Sequence, residues 1–340
     1  MPPLRTFQAG TASVAAAAAL GAALLAVEWR RGRLSRALRR LVPGQVAARA
    51  GPVVLLTRDE HQQGPWLLDL RRALLALGAE VEVLPLSGFR RPSASWRVLV
   101  NRVSDAAPPA DVKVCCAALR GAEVVGVPVV NGVWPYTLAT SKAMHYELFA
   151  AVGAPTPPYV VLRRGGPAPA QAAAEAGLRA PLLLKPSAGG FGKGIVRLDG
   201  PDDLQRCQGA CEELSAALGE EGVALLQEFQ EPDEGCTYRA WFLQGQVHCG
   251  VRVRAPSFNA CVGGAPHEPW PVPTDIATLC CRMAELAGAD CGSVEWLYAG
   301  GRPWFFDFNL LSTLPEAAPQ GDPYEQLARA VLARAEGRLA

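Results

Sequence analysis

Histidine is scarce in this chain of 340 residues, which has only four. Few side chains can therefore serve as bases near neutrality. Neither a His-Glu-x-x-His zinc motif nor a Gly-x-Ser-x-Gly nucleophile elbow occurs, so chemistry of those two types has no carrier. The His-Arg-Asp and Asp-Phe-Gly pair of a protein kinase is missing as well. An excess of charge is also lacking: 33 Lys and Arg stand against 32 Asp and Glu, a net charge of +1. With no interleaving of aromatic and basic residues, a nucleic-acid partner is not expected, and small-molecule or peptide substrates fit better. The ten cysteines include no Cys-x-x-Cys pair and no histidine partner at metal-ligand spacing. Cys115-Cys116 and Cys280-Cys281 are adjacent, and Cys207 with Cys211 has helical spacing, so buried free thiols in a reducing compartment are expected. No internal repeat is present.

Long apolar runs are confined to the first fifty residues. Ala12 to Val27 is nearly uninterrupted, and Trp29-Arg30-Arg31-Gly32-Arg33 and further arginines through Arg49 follow it, with Glu28 the one acid. About sixteen apolar residues fall slightly short of the ~20 needed for a comfortable membrane span. Three readings compete. A membrane anchor would keep the following domain on the cytoplasmic side, an organelle transit peptide fits the Ala- and Arg-rich, acid-poor composition, and a secretory h-region ranks third. On each reading, residues 1–50 stand outside the catalytic fold.

What the chain does have is a glycine hairpin, Leu182-Leu183-Leu184-Lys185-Pro186-Ser187-Ala188-Gly189-Gly190-Phe191-Gly192-Lys193-Gly194-Ile195-Val196. Four glycines between two apolar runs, with lysines at the root and within, gather backbone N–H groups and positive charge around an anion such as a nucleotide triphosphate. A Walker loop needs Ser or Thr and then a helix after its Lys, whereas Lys193 precedes Gly194 and an apolar run. A dinucleotide fingerprint should open a helix, yet Ile195 to Leu198 reads as a strand. What remains is a strand, a loop and a strand: a flap over phosphates or an ordinary glycine turn.

Near the C-terminus, Cys291 to Tyr298 is an apolar strand pattern carrying Glu295, and Arg302 to Leu310 is another in which Asp307 and Asn309 alternate with Phe306, Phe308 and Leu310. Strand side chains alternate in direction, so Asp307 and Asn309 share a face and a hairpin partner can bring Glu295 beside them. Three hard oxygen donors of this kind suit Mg²⁺ completed by substrate phosphates. The alternative is a hairpin whose acids face solvent, but the flanking aromatics predict a buried strand, where an unpaired carboxylate is costly.

Together, the flap and the acidic hairpin resemble the ATP-grasp superfamily of carboxylate ligases, from about Val53 to about Leu332. The resemblance is carried by Thr140-Ser141-Lys142-Ala143-Met144, Leu184-Lys185-Pro186, the hinge Leu225-Leu226-Gln227-Glu228-Phe229, and Cys236-Thr237-Tyr238-Arg239. Val251-Arg252-Val253-Arg254, Phe258-Asn259-Ala260, Gly292-Ser293-Val294-Glu295 and Asp307-Phe308-Asn309 continue it in the same order. It implies that ATP is held by Lys142, Lys185, Ser187, Gly189, Gly190, Gly192, Gly194, Gln227, Glu228 and Phe229. It further implies Mg²⁺ or Mn²⁺ on Glu295, Asp307 and Asn309, with Arg239, Arg252 and Asn259 near the transferred phosphate. Arg252 and Arg254 share a strand face, so one of them can be a solvated edge charge; Arg252 is preferred for the site. The pattern resembles most the branch that includes ribosomal-protein glutamate ligases. Two departures stand out: Asp307 occupies a position where many relatives have Glu, and Leu311-Ser312-Thr313-Leu314-Pro315 replaces a small polar turn on the acceptor side. The activity implied is ATP-dependent activation of a carboxylate as an acyl phosphate for attack by an amine or thiol, with a degenerate nucleotide-binding scaffold at a membrane as the competing reading.

Half of the residues are apolar, enough for a large core in two or three subdomains. Strands over Val53–Thr57, Val81–Leu84, Arg97–Asn101 and Val124–Val130, alternating with helices over Trp66–Leu77 and Ala110–Leu119, predict a parallel α/β subdomain over 51–135. An α+β catalytic part follows over 136–340, with a flap subdomain over about 158–230 whose helix spans Pro201 to Leu218, then antiparallel strands and helices near Thr274–Leu286 and Pro323–Ala335. The expected fold class is therefore α/β with ATP-grasp architecture.

Overall fold

The computed structural model describes residues 50–190, 192–207, 211–254, 267–312, 314 and 321–337. The chain divides into two compact units, 1–47 with 340, and 48–339, and every described residue belongs to the second. The apolar run Ala12–Val27 and Asn259 lie outside the described residues. Among the described residues, no helix is long and apolar enough to cross a membrane.

The unit opens with β1 (Val53–Thr57), α1 (Pro65–Ala76), β2 (Val81–Pro85), β3 (Val98–Asn101), α2 (Pro109–Val124) and β4 (Val129–Val130). The four strands form a parallel sheet in the order β2-β1-β3-β4. Every residue of β1 and β3 is buried, as near-continuous apolar runs in a sheet covered on both faces require. The strand expected over Val124–Val130 shrinks to two residues. The apolar spacing of Cys115, Ala118, Leu119 and Ala122 keeps the helix going to Val124, and Gly126, at φ 76°, makes the turn that ends it.

Two helices, α3 (Val133–Ala139) and α4 (Lys142–Val152), lead onward, α4 stopping at left-handed Gly153. Next come β5 (Tyr159–Arg163), α5 (Pro169–Ala176), β6 (Leu182–Pro186), β7 (Val196–Leu198), α6 (Pro201–Arg206), α7 (Glu212–Leu218) and β8 (Val223–Glu228). Their strands pair antiparallel in the order β5-β8-β6-β7. One face, with Leu162, Leu182, Leu184, Ala224 and Leu226, packs against Ala172, Ala173 and Ala217 of the helices. The single helix expected over Pro201–Leu218 is two. Cys207 ends α6, and Cys211 caps α7 by accepting a bond from Leu214 N–H at 3.3 Å.

The rest is β9 (Cys236–Leu243), β10 (Gln246–Arg254), β11 (His267–Pro269), α8 (Thr274–Ala287), β12 (Cys291–Ala299), β13 (Arg302–Asn309) and α9 (Pro323–Ala335). The strands form an antiparallel sheet in the order β11-β10-β9-β12-β13. Ile276, Cys280, Met283, Ala284 and Ala287 make the inward stripe of α8 and meet Tyr238, Ala240, Phe242, Val294, Trp296 and Phe308 in one core cluster. Each large apolar side chain buried there contributes about 1.5–3 kcal/mol. Asn131, left-handed at φ 53°, staples the parallel sheet to this one. Its side-chain oxygen accepts from the backbone N–H of Asp290 and Cys291, and its amide donates to the carbonyl of Cys291. Helix α9 then packs Leu327, Ala328, Val331 and Ala335 against Val53, Leu55, Val98 and Val100 of the parallel sheet.

At Gly292 a Cβ would lie 2.6 Å from the Asn309 carbonyl oxygen and 2.7 Å from the Phe242 ring, so only glycine lets β12 approach both. Gly292→Ala is expected to lower the melting temperature by the equivalent of about 1–3 kcal/mol, the usual cost of overpacking, measured by thermal denaturation of the purified chain.

Candidate active site

Register decides what the antiparallel sheet presents. Arg239 of β9, Glu295 of β12 and Asp307 of β13 are cross-strand partners in one row, with Trp241, Ser293 and Asn309 in the next row on the same face. Opposed side chains on one face are about 4.5–5.5 Å apart at Cβ, so the row gathers charge. Arg239 Nη2 donates to Glu295 Oε1. Asn309 Oδ1 accepts from Leu311 N–H at 2.7 Å, leaving a second lone pair on that oxygen.

Helix α4 meets this face with its first turn. Lys142, His145 and Tyr146 lie three and four residues apart and therefore on one side of the helix. Lys142 Nζ stands 3.9 Å from Asp307 Oδ1 and donates to the Gly189 carbonyl at 2.7 Å, joining the acidic row to the flap. His145 is buried; its Nε2 donates to the Ala139 carbonyl at 3.0 Å, and its Nδ1 accepts from Phe308 N–H and sits 3.3 Å from Asp307 Oδ1. Lys142 N–H donates to the Ser187 carbonyl at 2.8 Å, and the hydroxyls of Ser141 and Ser187 are 3.2 Å apart.

The flap sheet contributes the face that its helices leave uncovered. Lys185 opposes Leu225 and Leu183 opposes Gln227, so Lys185 and Gln227 share a side. Lys185 Nζ donates to the Tyr146 hydroxyl at 2.8 Å, and that hydroxyl donates to Gln227 Oε1. Tyr146 also stacks on Tyr159, ring centroids 4.4 Å apart. Gly189, at φ 103°, adopts backbone angles that place its carbonyl against Lys142, and a Cβ on Gly190 would come 3.1 Å from Ala106, bringing the flap close to the loop after β3.

The structure thus brings together Lys142, Lys185, Ser187, Gly189, Gly190, Gln227, Arg239, Glu295, Asp307 and Asn309, with Gly192 and Gly194 at positive φ farther along the flap. Two expected residues point elsewhere. Arg252 is paired in register with Tyr238, not with the Arg239 row, and so projects from the opposite face of the sheet. There it bonds Glu268 at 2.6 Å and lies over the Trp270 ring, while Arg254 donates to the Glu234 carbonyl. Glu228 follows Gln227 on a strand and so turns to the helix side, where it accepts from Arg179 N–H at 2.9 Å. Phe229, two residues past Gln227, carries the Arg197 guanidinium over its ring at 4.4 Å, and Arg197 opposes Leu183 on the Lys185 side of the flap sheet. His145, Tyr146 and Asp105 were not anticipated. Helical spacing from Lys142 would have found the first two; Asp105 has no local signal, since only the fold carries its loop to Leu310.

Electrostatics at the cluster are sharply divided. For Asp307, burial favours the neutral acid, but Lys142, His145 and Lys185 outweigh it and hold the carboxyl well below its usual range. Burial pushes Glu295 up, opposed by Arg239. Asp105 is raised to about 7, first by burial and then by the charge of Asp307. Lys185 is lowered to about 7 by burial and by Lys142. Burial also holds His145 below its usual range.

Two carboxylates and an amide oxygen on adjacent rows of one face fit a hard divalent cation such as Mg²⁺. Cys207, Cys211 and Glu213 are the one His, Cys, Asp and Glu group among the described residues whose ligand atoms all fall within 4.8 Å, and thiolates of that kind suit softer metals. All nine described cysteines are free.

No protein-family profile matches the chain. The D-alanine–D-alanine ligase of Polaromonas naphthalenivorans is 30% identical over 140 residues, 40% of this chain and 41% of the ligase. That of a second Polaromonas species is 31% identical over 140 residues. The chain thus spans 40–41% of the length of these curated relatives. Among solved structures, the ATP-grasp ligase PsnB with its minimal precursor aligns at a TM-score of 0.62 and 17% identity over 83% of this chain and 99% of PsnB. D-cycloserine synthetase DcsG aligns with the same TM-score, identity and coverage of both chains. The fold is that of the ATP-grasp ligases.

Asp105 supplies a pH test. Its carboxyl holds a proton up to about pH 7 when folded, against a reference value of 3.8. The folded state therefore binds more protons between about 4 and 7, and stability falls as pH rises through that window. Asp105→Asn, which keeps an acceptor for Leu310 N–H, is expected to melt higher than the native chain at pH 8, with the gain shrinking as pH falls toward 4, measured by thermal denaturation across pH without added metal.

Proposed function

We propose that this chain is an ATP- and Mg²⁺-dependent ligase that activates a carboxylate as an acyl phosphate for capture by an amine or thiol. The observation carrying the proposal is the meeting of Lys142, Lys185 and the flap backbone with the Arg239–Glu295–Asp307 row, because phosphoryl transfer asks mainly for positioning and for cations around spreading negative charge. The matches to D-alanine–D-alanine ligases and the fold shared with PsnB support it, and PsnB has been solved with Mg and ADP. PsnB has also been solved with its precursor peptide, which favours a peptide or a small amino-acid-like molecule as substrate.

In this reading the substrate carboxylate oxygen attacks the γ-phosphorus of ATP, the bond to ADP breaks, and the acyl phosphate forms. The amine or thiol then attacks the carbonyl carbon, phosphate leaves, and the nucleophile gives up its proton. Lys142 and Lys185 hold the phosphates, the Gly189–Gly194 loop excludes water from above, and Tyr146 and Gln227 fix the Lys185 ammonium. Arg239 is the cation to bind a γ-phosphate oxygen, and it opposes the burial that favours neutral Glu295. Glu295, Asp307 and Asn309 would hold Mg²⁺, which when bound neutralises phosphate charge. His145 packs behind Asp307, its Nδ1 3.3 Å from Oδ1.

Mg·ATP is expected to raise the melting temperature by the equivalent of about 2.7 kcal/mol at a hundredfold excess over the dissociation constant, and Asp307→Ala to abolish the rise. A folded native chain that shows no rise at millimolar Mg·ATP would refute the reading. Phosphates beside Lys185 favour its charged form, so binding at pH 8 should take up protons. Calorimetric titrations in buffers of different ionisation enthalpy would detect this, and Lys185→Met should remove it.

A further inference from the structure

Beyond the cluster lies a guanidinium with no counter-ion among the described residues. Arg102 follows β3 and is 6% exposed. Among the described residues its side chain makes no ion pair; its Nε is buried without a hydrogen-bond partner, and the contact it has is with the Trp66 ring, 4.2 Å from the guanidinium carbon. Burying a cation in this way costs several kcal/mol unless something anionic answers it. Burial accordingly pulls Arg102 below its ordinary range.

The guanidinium borders a cavity of about 40 Å³ also lined by Trp241, His248, Cys249, Ser312 and Gln326. A water needs about 10–15 Å³ by this measure, so the space accommodates a carboxylate head of three heavy atoms, and because the cavity is partly open a short stem can extend outward from it. Polar groups are already set on its wall: the Gln326 amide oxygen accepts from His248 Nδ1 at 2.9 Å, and the Ser312 hydroxyl bonds that of Ser293. The remaining wall includes Leu243, Leu310, Leu314 and Leu327, which favour an apolar stem behind the charged head.

Position ties the cavity to the site. Trp241 pairs with Ser293 and Leu243 with Cys291, which are two and four residues before Glu295 on the same face of β12. At a strand rise of about 3.3 Å per residue, the cavity begins about 7–13 Å along the sheet from the Glu295–Asp307 row.

We propose that the Arg102 cavity is a binding site for an organic carboxylate on an apolar stem, and that it holds a second carboxylate of the substrate, remote from the group that reacts. The binding claim stands on the cavity; that the ligand is substrate rests on the ligase reading above. A planar fork of donors on the cavity wall matches a carboxylate in two parallel bonds, a geometry that lysine cannot reproduce.

The test uses the full chain and sodium butyrate, a carboxylate on a three-carbon stem, against sodium chloride and sodium phosphate at matched ionic strength, without nucleotide. Butyrate is expected to raise the melting temperature by roughly 2 °C at tenfold excess over its dissociation constant, beyond either control. Arg102→Met should melt higher than the native chain without anion, because the unanswered charge is gone, and should lose the butyrate response. Arg102→Lys, which keeps the charge, should weaken apparent butyrate affinity at least tenfold, and it remains informative if the Met variant fails to fold. Three results would overturn the proposal: butyrate acting no better than chloride, phosphate acting instead of butyrate, or either variant responding like the native chain. A Mg·ATP titration of the native chain runs alongside. A response to Mg·ATP without one to butyrate sinks the carboxylate site alone, and the reverse sinks the nucleotide reading, and with it the claim that the ligand is substrate, while the binding claim stands.

Discussion

Alternation of side chains in β9, β12 and the end of β13, reset by a bulge opposite the Glu295–Trp296 step, is the constraint from which the rest of this unit follows. The register that sets Arg239 beside Glu295 and Glu295 beside Asp307 also sets Tyr238 beside Trp296 and Val294 beside Phe308 on the reverse. One face is therefore fixed by its burial against α8 and α4, and the polar face inherits that precision. A slip of one residue would exchange the faces, exposing the aromatic core and burying three charged side chains, so core packing and site geometry cannot be separated.

The clustered charges are tolerable because they answer one another. Glu295, Asp307 and Asp105 face Arg239, Lys142 and Lys185; burial pushes Glu295 up even beside Arg239, and Asp105 and Lys185, without a carboxylate–cation hydrogen bond, are displaced to about 7. A buried site cannot keep every member charged, and it yields at the members whose neighbours help least. Tyr146 bridges Lys185 to Gln227, so the least secure ammonium is the one held most firmly by neutral donors and acceptors.

Much of this was legible in the residues and part was not. Alternation alone correctly placed Asp307, Asn309 and Glu295 on one face, and the glycine spacing predicted a hairpin over Leu182–Val196. Alternation applied with the same care to Gln227-Glu228 would have divided those two between opposite faces. For Arg252 the missing knowledge was its partner: whether it rows with Arg239 or with Tyr238 depends on the β9–β10 turn and a bulge between Val247 and Cys249, which no local pattern reveals. Arg102 and Asp105 were invisible for a plainer reason. Their loop gains meaning only when β12, β13 and α9 are folded over it, more than 180 residues later in the chain.

That long return carries a consequence for how the protein is made. The face of the parallel sheet bearing Val53, Leu55, Val98 and Val100 is closed by α9, whose last residue is Ala335. On the ribosome, the first sheet is synthesised nearly 200 residues before the helix that completes its core. During that interval the part of its apolar face that Leu67, Leu70 and Leu74 of α1 leave uncovered stays open to water and to other nascent chains, an opportunity for chaperones and a hazard of aggregation. The final turns of α9 are thus the last step in the maturation of the first strand.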